Sequence, residues 1–263
     1  MTSVDLIPEQ RRREILNLLR WQPVQSYRQL TEKLGVSHMT VRRDAAMLAE
    51  QGRVRLTQGG VAAVQSVGEE PSRLVKADVN TPEKNAIARA AAELVRDGMT
   101  IYLDAGTTIQ SLRPLVEERA DLTIVTNDIA TATAFLDHAG AELIVVGGRV
   151  DKANQSTVGR LAAMTLDELS LDLALISCSS WEARRGLTTP VEAKIDLKRT
   201  AISAASRPVL LADSTKYGSY AKHRVARLDE LDTVITDENL EEGDAARVEA
   251  AGVQLMRVRA HPA

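Results

Sequence analysis

The stretch that decides the fold of the N-terminal region is Ser37-His38-Met39-Thr40-Val41-Arg42-Arg43-Asp44. Ser37 is a preferred helix N-cap, because its hydroxyl can accept a hydrogen bond from a backbone N–H of the first turn. Val41, Ala45 and Leu48 recur at helical spacing, which predicts a buried face. The stretch therefore predicts a helix with a basic outer face, which begins with His38, Met39, Arg42 and Arg43 and has Thr40 at its edge.

The residues before this helix predict a second helix, joined to it by a tight turn. Ser26 is a suitable N-cap, Leu30 and Leu34 fall on one face, and Gly35 can supply the positive φ that ends the helix. Two helices joined by a short turn that contains glycine describe a helix-turn-helix. The second helix of such a motif presents its N-terminal side chains to the major groove of DNA.

The flanking residues complete a winged helix-turn-helix. An earlier helix starts near Pro8 and stops at 21–23. After Gly52, residues 53–58 alternate and Gly59-Gly60 makes a turn, which predicts a short hairpin or wing. We therefore predict a DNA-binding domain over residues 1–64.

Arginine can hold guanine bidentately in the major groove, while hydroxyl groups suit phosphates or base edges. The basic residues of the wing would contact the phosphate backbone of the DNA beside the major groove. The alternative is a three-helix packing unit whose Arg42 and Arg43 are only solvated charges. The predicted DNA contacts are Ser37, His38, Met39, Thr40, Arg42, Arg43, Arg53 and Arg55.

The charge is distributed unevenly over the 263 residues. Residues 1–60 carry ten Lys/Arg against six Asp/Glu, whereas the remainder carries 23 against 30. A basic head on an acidic body fits a module that binds a polyanion, although chance produces differences of this size. Cys178 is the only cysteine, so an intrachain disulfide and a cysteine metal cluster are excluded. There is no apolar run for a membrane span and no secretory signal, so we expect a cytoplasmic protein without cofactor, metal or membrane partner.

The rest of the chain alternates short apolar runs with segments of helix length. Residues 65–80 lack periodicity and are interpreted as a linker, and a helix begins at Thr81-Pro82-Glu83. Strands that alternate with helices predict an α/β domain over residues 81–263, with a mostly parallel sheet flanked by helices. The predicted strands are 99–103, 122–126, 142–146, 172–177, 208–212, 233–236 and 253–258, and the predicted helices between them include 108–118, 128–137, 160–169, 190–206 and 239–251.

Small and polar residues follow most of these strands. In open α/β sheets, ligands bind outside the carboxyl ends of the strands. A Gly-Thr-Thr turn at a helix start can hold a phosphate, and a lysine adds positive charge. One such turn alone is weak evidence, but several strand ends converge in space and predict a pocket for a small phosphorylated metabolite. The predicted effector-binding residues are Asp104, Gly106, Thr107, Thr108, Thr126, Asn127, Gly147, Gly148, Ser179, Ser180 and Lys216.

The two halves together resemble the DeoR family of bacterial transcriptional repressors. The resemblance rests on Arg11, Ile15 and Leu19 followed by the S-x-x-T-V-R-R-D core, and it covers residues 8–240. It continues with Asp104-Ala105-Gly106-Thr107-Thr108, Thr126-Asn127, Gly147-Gly148 and Asp213-Ser214-Thr215-Lys216-Tyr217-Gly218. The resemblance implies a sensor fold similar to ribose-5-phosphate isomerase and the CoA transferases. It also implies a phosphorylated sugar or sugar-like effector, and a homo-oligomer (dimer or tetramer) on double-stranded operator DNA.

Two positions depart from the family pattern. Ala45 replaces a larger aliphatic residue, and the loop after the fourth strand, residues 177–188, has serines and Trp181 where the family has glycines. More hydroxyl groups and an indole change the selectivity of the cavity, so the effector of a relative does not transfer. Glu192, Lys194 and Lys198 on the next helix either face the site, where they could bind a carboxylate or hydroxyls, or belong to a solvated helix face.

We expect a transcriptional regulator, most simply a repressor of a carbohydrate or sugar-acid catabolic operon, and no enzymatic activity. The alternative is a sugar-phosphate isomerase-like enzyme, which needs a placed carboxylate to move protons. The loop after the fourth strand opens with four residues that carry no acid, and its first acid is Glu182. A constitutive DNA-binding protein would not explain the aligned polar strand ends.

Overall fold

A computed structural model describes residues 6–260, and the chain divides into two compact units, 1–65 and 66–263. The first unit is a winged helix-turn-helix. Its elements are α1 (Pro8–Trp21), β1 (Val24–Ser26), α2 (Tyr27–Leu34), α3 (His38–Glu50), β2 (Val54–Thr57) and β3 (Gly60–Ala63).

Local signals in the sequence account for this unit. Ser26 caps α2 by accepting the N–H of Gln29 at 3.1 Å, and Gly35 ends α2 with φ 65°. The predicted hairpin is β2 paired with β3, and β1 adds a third antiparallel strand that the sequence analysis did not predict. Gly60 is required where β3 crosses β1, because a Cβ there would lie 2.4 Å from the carbonyl oxygen of Gln25.

A buried ion pair joins α1 to α3. The Nε of Arg11 donates to Oδ2 of Asp44 at 2.8 Å, and both side chains are less than one-tenth exposed. Arg12 approaches the other carboxylate oxygen at 3.6 Å. The Arg and Asp of the sequence signature therefore hold the unit together, on the side of α3 that faces the core.

The second unit is an α/β domain. After β4 (Gln65–Val67), which spans the boundary, its elements are α4 (Arg73–Ala77), α5 (Thr81–Ala92), β5 (Thr100–Leu103), α6 (Thr107–Gln110), β6 (Leu122–Thr126), α7 (Ile129–Phe135), β7 (Ala141–Val145), β8 (Arg149–Asp151), β9 (Ser156–Val158), α8 (Arg160–Asp167), β10 (Leu171–Ile176), β11 (Ser180–Glu182), β12 (Gly186–Thr189), α9 (Ile195–Ala204), β13 (Ala205–Leu211), β14 (Ser219–Ala221), β15 (His223–Ala226), β16 (Thr233–Asp237), α10 (Glu242–Glu249) and β17 (Gln254–Val258). Single 3-10 turns lie at Arg113–Leu115, Glu192–Lys194, Ser214–Lys216 and Leu228–Glu230.

The seven predicted strands form one parallel sheet in the order β17-β16-β13-β10-β5-β6-β7. Alternate residues of β5 enter different cores. Ile101 and Leu103 pack in one cluster with Ile87 of α5, and Tyr102 packs in the other with Leu197 of α9. Helices therefore cover both faces of the sheet, which confirms the predicted fold class.

The order of the strands places a switch point between β5 and β10. From β5 the chain proceeds to β6 and β7 on one side, and then crosses to β10 on the other. The loops that leave β5 and β10 diverge at their carboxyl ends, which opens a crevice there. Asp104 follows β5 and Ser177 follows β10, so both residues lie at this crevice.

Some segments differ from the predicted pattern. The helix predicted over 108–118 is reduced to α6 and a 3-10 turn, because Pro114 cannot continue a helix. Residues 65–80, interpreted as a linker, contain β4 and α4. A buried ion pair of 2.8 Å between Arg73 and Asp128 fastens α4 to the α/β unit.

Between residues 6 and 260, no helix combines the length and apolarity that crossing a bilayer requires. The same residues contain no group of three or more His, Cys, Asp and Glu side chains arranged to hold a metal ion.

Candidate DNA-binding face and effector pocket

The face of α3 opposite the core carries the residues predicted to contact DNA. One face of α3 packs into the core, and its buried residues are Val41, Asp44, Ala45 and Leu48. None of the eight predicted contact residues is buried. Exposed are Ser37, His38, Met39, Arg42, Arg43 and Arg53, and partly exposed are Thr40 and Arg55.

The start of α3 is held by contacts to its neighbours. Ser37 Oγ accepts the backbone N–H of Thr40 at 3.2 Å and lies 2.9 Å from the Thr40 hydroxyl. The guanidinium of Arg42 lies over the ring of Tyr27 at 5.7 Å, and the same ring meets His38 edge to face at 5.5 Å. The aromatic ring of α2 therefore positions Arg42 beside the first turn of α3.

A first pocket lies at the switch point of the sheet. Three predicted effector residues line it, namely Asp104, Asn127 and Ser179. The other lining residues are Glu70, Ala105, Ser156, Ser177, Cys178, Lys194, Leu197 and Lys198. The enclosed space is about 10 Å³, which is room for about one water molecule.

Asp104 at the base of this pocket is paired with Lys198. The Lys198 ammonium donates to Oδ2 of Asp104 and, at 2.8 Å, to the carbonyl of Ser177. The backbone N–H and the hydroxyl of Ser177 donate to the same carboxylate oxygen at 2.8 and 2.9 Å. Because its carboxylate is buried and paired in this way, Asp104 organises the floor of the pocket in this structure.

Asn127 and Thr126 connect the strand ends. Asn127 Oδ1 accepts from the hydroxyl of Tyr102 at 2.9 Å and from the N–H of Ala105 at 3.1 Å, while Nδ2 donates to the carbonyl of Thr157. Thr126 is fully buried and donates to the carbonyl of Leu103 at 2.6 Å. Asn127 reaches the pocket, whereas the hydroxyl of Thr126 bonds to backbone between β5 and β6.

A second pocket of about 150 Å³ is lined by two of the predicted effector residues, Lys216 and Thr107. Lys76, Lys84 and Lys216 line it together with Thr107 and Asp213. Burial and the neighbouring Lys216 ammonium lower the pKa of Lys84. Burial favours the neutral acid of Asp213, but Lys216 and two hydrogen bonds outweigh it and lower the pKa of Asp213. Lys76 pairs with Glu70 at 2.7 Å and Lys216 lies 3.6 Å from Asp213, so the three ammonium groups still exceed the two carboxylates beside them, which makes this pocket suitable for an anion.

The remaining predicted effector residues line neither of these two pockets. Gly106 packs on Ser177, where an added Cβ would lie 3.0 Å from the serine Cβ. Thr108 is buried, and Ser180 is buried with its hydroxyl 2.7 Å from that of Thr188. Gly147 and Gly148 are exposed in the turn to β8. Their role in binding stays a prediction from the sequence.

The structure resolves the alternative for Lys194 and Lys198 and places three further residues of this region. Lys194 and Lys198 are buried and line the first pocket, so they do not belong to a solvated helix face. Trp181 is fully buried in the core, edge to face with Tyr217 at 4.8 Å, and lines neither pocket, so the expectation that its indole changes the selectivity of the cavity is wrong for these pockets. Burial raises the pKa of Cys178 to about 12, so its thiol stays protonated at neutral pH. Glu182 is paired with Arg185 at 2.9 Å and lines neither pocket.

Sequence reasoning missed three charged residues of the pockets. Glu70 and Lys76 lie in the segment interpreted as a linker, and Lys84 lies on α5. Lys84 was missed because the residues around it show the pattern of an ordinary helix. Glu70 and Lys76 were missed because the segment before α5 has no periodicity. Glu70 and Lys76 reach the strand ends because α4 is fastened to the α/β unit, and Lys84 reaches them from α5.

Comparisons with known proteins agree with the two-unit architecture. Residues 11–67 match the DeoR-like helix-turn-helix domain, and residues 79–238 match the DeoR C-terminal sensor domain. A ribose 5-phosphate isomerase A from Methanocaldococcus jannaschii is 21% identical, with a TM-score of 0.38 over 51% of this chain and 53% of that one. That likeness is too slight to carry an argument.

Several curated relatives span the whole chain. An uncharacterized HTH-type transcriptional regulator of Haemophilus influenzae is 41% identical and covers 96% of this chain and 98% of its own length. The uncharacterized regulator YgbI of Escherichia coli is 43% identical over 90% and 92%, and the HTH-type transcriptional repressor GlcR of Bacillus subtilis is 31% identical over 94% and 95%. The chain therefore belongs to the DeoR family, and it is a transcriptional regulator rather than an enzyme.

Proposed function

We propose that this chain is a repressor that binds an operator as a homo-oligomer, a dimer or tetramer, and that a phosphorylated sugar or sugar-like metabolite modulates this binding. The regulated genes would form a carbohydrate or sugar-acid catabolic operon. Such a repressor acts in the cytoplasm, because its target is chromosomal DNA.

The observation that carries the DNA-binding part is the division of α3 into two faces. Its inner face is held in the core by the pair between Arg11 and Asp44, while Arg42 and Arg43 remain exposed. A recognition helix needs this arrangement, because its outer side chains must reach base edges from a rigid support. Arg53 and Arg55 at the wing are suited to phosphates.

The support for the effector part is the second pocket. Lys216 and Lys84 provide positive charge, and Thr107 adds a hydroxyl beside them. A phosphate group combines negative charge with several acceptor oxygens, and therefore suits this set of donors. The hydroxyls and amide at the first pocket would hold the sugar portion.

Two winged units of a dimer would place their α3 helices in successive major grooves, about 34–36 Å apart or a multiple of it. The effector then shifts the population between two arrangements of these units. It can do so only by binding one arrangement more tightly, and such coupling is typically worth about 1–3 kcal/mol. Release from DNA is the direction that we propose.

The test is selection of bound fragments from sheared genomic DNA at fixed salt, followed by sequencing. Salt is fixed because phosphate contacts make the affinity fall steeply with ionic strength. We expect a few strongly enriched sites with paired half-sites, lost in the double variant Arg42→Ala, Arg43→Ala. Arg96→Ala, at an exposed position of the other unit, removes the same kind of charge and should retain them. Equal recovery of all fragments by the unaltered chain would contradict the proposal.

A further inference from the structure

The carboxylate of Glu70 lies between two lysines beside the first pocket. Its Oε1 accepts from Nζ of Lys76 at 2.7 Å, and its Oε2 accepts from Nζ of Lys194 at 2.6 Å. Each carboxylate oxygen therefore has its own ammonium donor. The side chains of Glu70 and Lys194 are about one-tenth exposed.

The two lysines are held in place by further partners. Lys76 also donates to Oδ1 of Asn154 at 2.6 Å, and Lys194 lies 3.6 Å from Asp151. If Glu70 left, both ammonium groups would remain in position with less negative charge around them. Burial favours the neutral acid of Glu70, but Lys194 and Lys76 outweigh it and lower its pKa to about 2.

The first pocket has little free space while Glu70 is in place. The free volume of this partly open pocket, about 10 Å³, is that of about one water molecule, whereas a sugar phosphate needs far more. Ser156, which lines the pocket, is fully buried and its hydroxyl has no hydrogen-bond partner in the structure. The pocket therefore has an unused hydroxyl donor, that of Ser156, and the side chain of Glu70 takes up its space. These are the features of a ligand-binding site that a side chain of the protein itself occupies.

We propose that the space between Lys76 and Lys194 is a carboxylate subsite of the effector pocket, which Glu70 fills until the carboxylate of the effector replaces it. The inference rests on the proposed function, and it narrows the effector to a phosphorylated sugar acid. The phosphate would occupy the second pocket, which Lys76 also lines, so the two anionic groups of one small molecule can span adjacent sites.

The replacement of Glu70 by the carboxylate of the effector explains how the pocket would select an acid over a neutral compound. An acid replaces one carboxylate by another, so both lysines keep a counter-charge. A neutral end group would have to displace Glu70 and remove the carboxylate shared by two mostly buried ammonium groups, which would leave Lys76 with Asn154 and Lys194 with Asp151 at 3.6 Å; this loss of charge pairing is unfavourable. The effector is thus selected by its charge as well as by its shape.

The exchange also provides a route to the DNA-binding unit through the chain. Glu70 lies shortly after Gln65, the last residue of the first unit, and before α4. Release of Glu70 removes one anchor of this segment, while the pairing of β4 with β14 before it and the pair between Arg73 and Asp128 after it remain.

The first test is chemical rescue of Glu70→Ala in the full-length chain. The variant should melt at a lower temperature than the unaltered protein, and acetate should restore the melting temperature by several degrees more than it does in the unaltered protein. Acetamide and sodium chloride at equal concentration should not. Glu69→Ala is the matched control, because Glu69 is the exposed acidic neighbour. An equal effect of acetate on all three proteins would overturn the subsite.

The second test uses pairs of phosphates of equal chain length and Glu70→Gln, which keeps the side-chain volume. Calorimetric titration would compare 3-phosphoglycerate, 4-phosphoerythronate and 6-phosphogluconate with glycerol 3-phosphate, erythritol 4-phosphate and glucitol 6-phosphate. We expect at least one acid to bind at least tenfold more tightly than its alditol, and Glu70→Gln to tighten the acid, because a neutral occupant no longer pairs with the two lysines. Alditols that bind as tightly as the acids at every length would overturn the proposal.

The outcomes separate this inference from the proposed function. If alditol phosphates bind and release operator DNA, the repressor stands and the carboxylate subsite is wrong. If acetate rescues Glu70→Ala and an acid binds, yet no operator is found, the subsite stands and the proposed function is wrong.

Discussion

Asp44→Ala tests whether the ion pair between α1 and α3 holds the winged unit together. Asp44 is 3% exposed and accepts from Nε of Arg11 at 2.8 Å. Removal of one member of a buried pair leaves an uncompensated charge, which costs about 3–5 kcal/mol. A unit of 65 residues has a total free energy of unfolding of about 3–10 kcal/mol by the usual per-residue scale. The variant should therefore lose a large part of the stability of this unit and unfold at a lower urea concentration.

The two tryptophans allow the units to be followed together with circular dichroism. Trp181 is fully buried in the α/β core, whereas Trp21 in the first unit is 90% exposed, so the change in fluorescence on unfolding reports chiefly on the second unit. In a urea titration, the ellipticity of Asp44→Ala should fall at a lower urea concentration than that of the unaltered chain, while the midpoint of the change in Trp181 fluorescence is unchanged. Operator binding by the variant should be lost.

Two controls distinguish the ion pair from a general effect. Glu50→Ala, at the exposed end of α3, should change the stability by less than about 0.5 kcal/mol. The double variant Arg11→Met, Asp44→Leu removes both charges and should recover much of the stability, because apolar residues can replace a buried pair. An Asp44→Ala protein within about 1 kcal/mol of the unaltered chain would refute the reasoning.

Four further predictions concern single side chains. If Arg42 reads guanine, Arg42→Ala should cost about 1–3 kcal/mol at one base position in competition binding; uniform weakening over all sequences would make it a phosphate contact. Lys216→Ala should abolish the effector response with operator affinity near normal; an unaltered response would remove Lys216 from the site. Cys178, with its pKa raised to about 12, should resist iodoacetamide at pH 8 until the chain is denatured, as mass spectrometry would show. Glu70, with its pKa lowered from 4.5 to about 2, should contribute roughly 3 kcal/mol that is present above pH 4.5 and lost as the pH falls towards 2; an equal acid sensitivity of Glu70→Gln would contradict this.

The winged unit could be predicted from sequence almost completely, because its signals are local. Ser26, Gly35 and Ser37 set the ends of helices through hydrogen bonds and backbone angles within a few residues. β1 was missed, because a strand of three residues has no periodicity of its own. The partner of Asp44 was missed as well, since Arg11 lies 33 positions away.

The parallel sheet was predicted because buried parallel strands are continuous apolar runs. The smaller sheets were not predicted. β8, β9, β11 and β14 have three residues each, and their pairing depends on partners that the fold supplies.

The candidate site was predicted in part. Strand ends indicated Asp104 and Asn127 at the first pocket and Lys216 at the second, because the carboxyl ends of parallel strands meet at one edge. The same reasoning could not find Glu70 or Lys76, which come from a segment without periodicity and reach the pockets only by tertiary packing.

The central claim is that DNA binding and a small phosphorylated acid are coupled in one chain. The most direct measurement is fluorescence anisotropy with labelled DNA from immediately upstream of its own gene, at fixed salt, with phosphorylated sugars and sugar acids added to the preformed complex. We expect binding well above that of random DNA of equal length, and release by one sugar-acid phosphate. Equal affinity for random DNA, or a specific complex that ignores every compound, would contradict it.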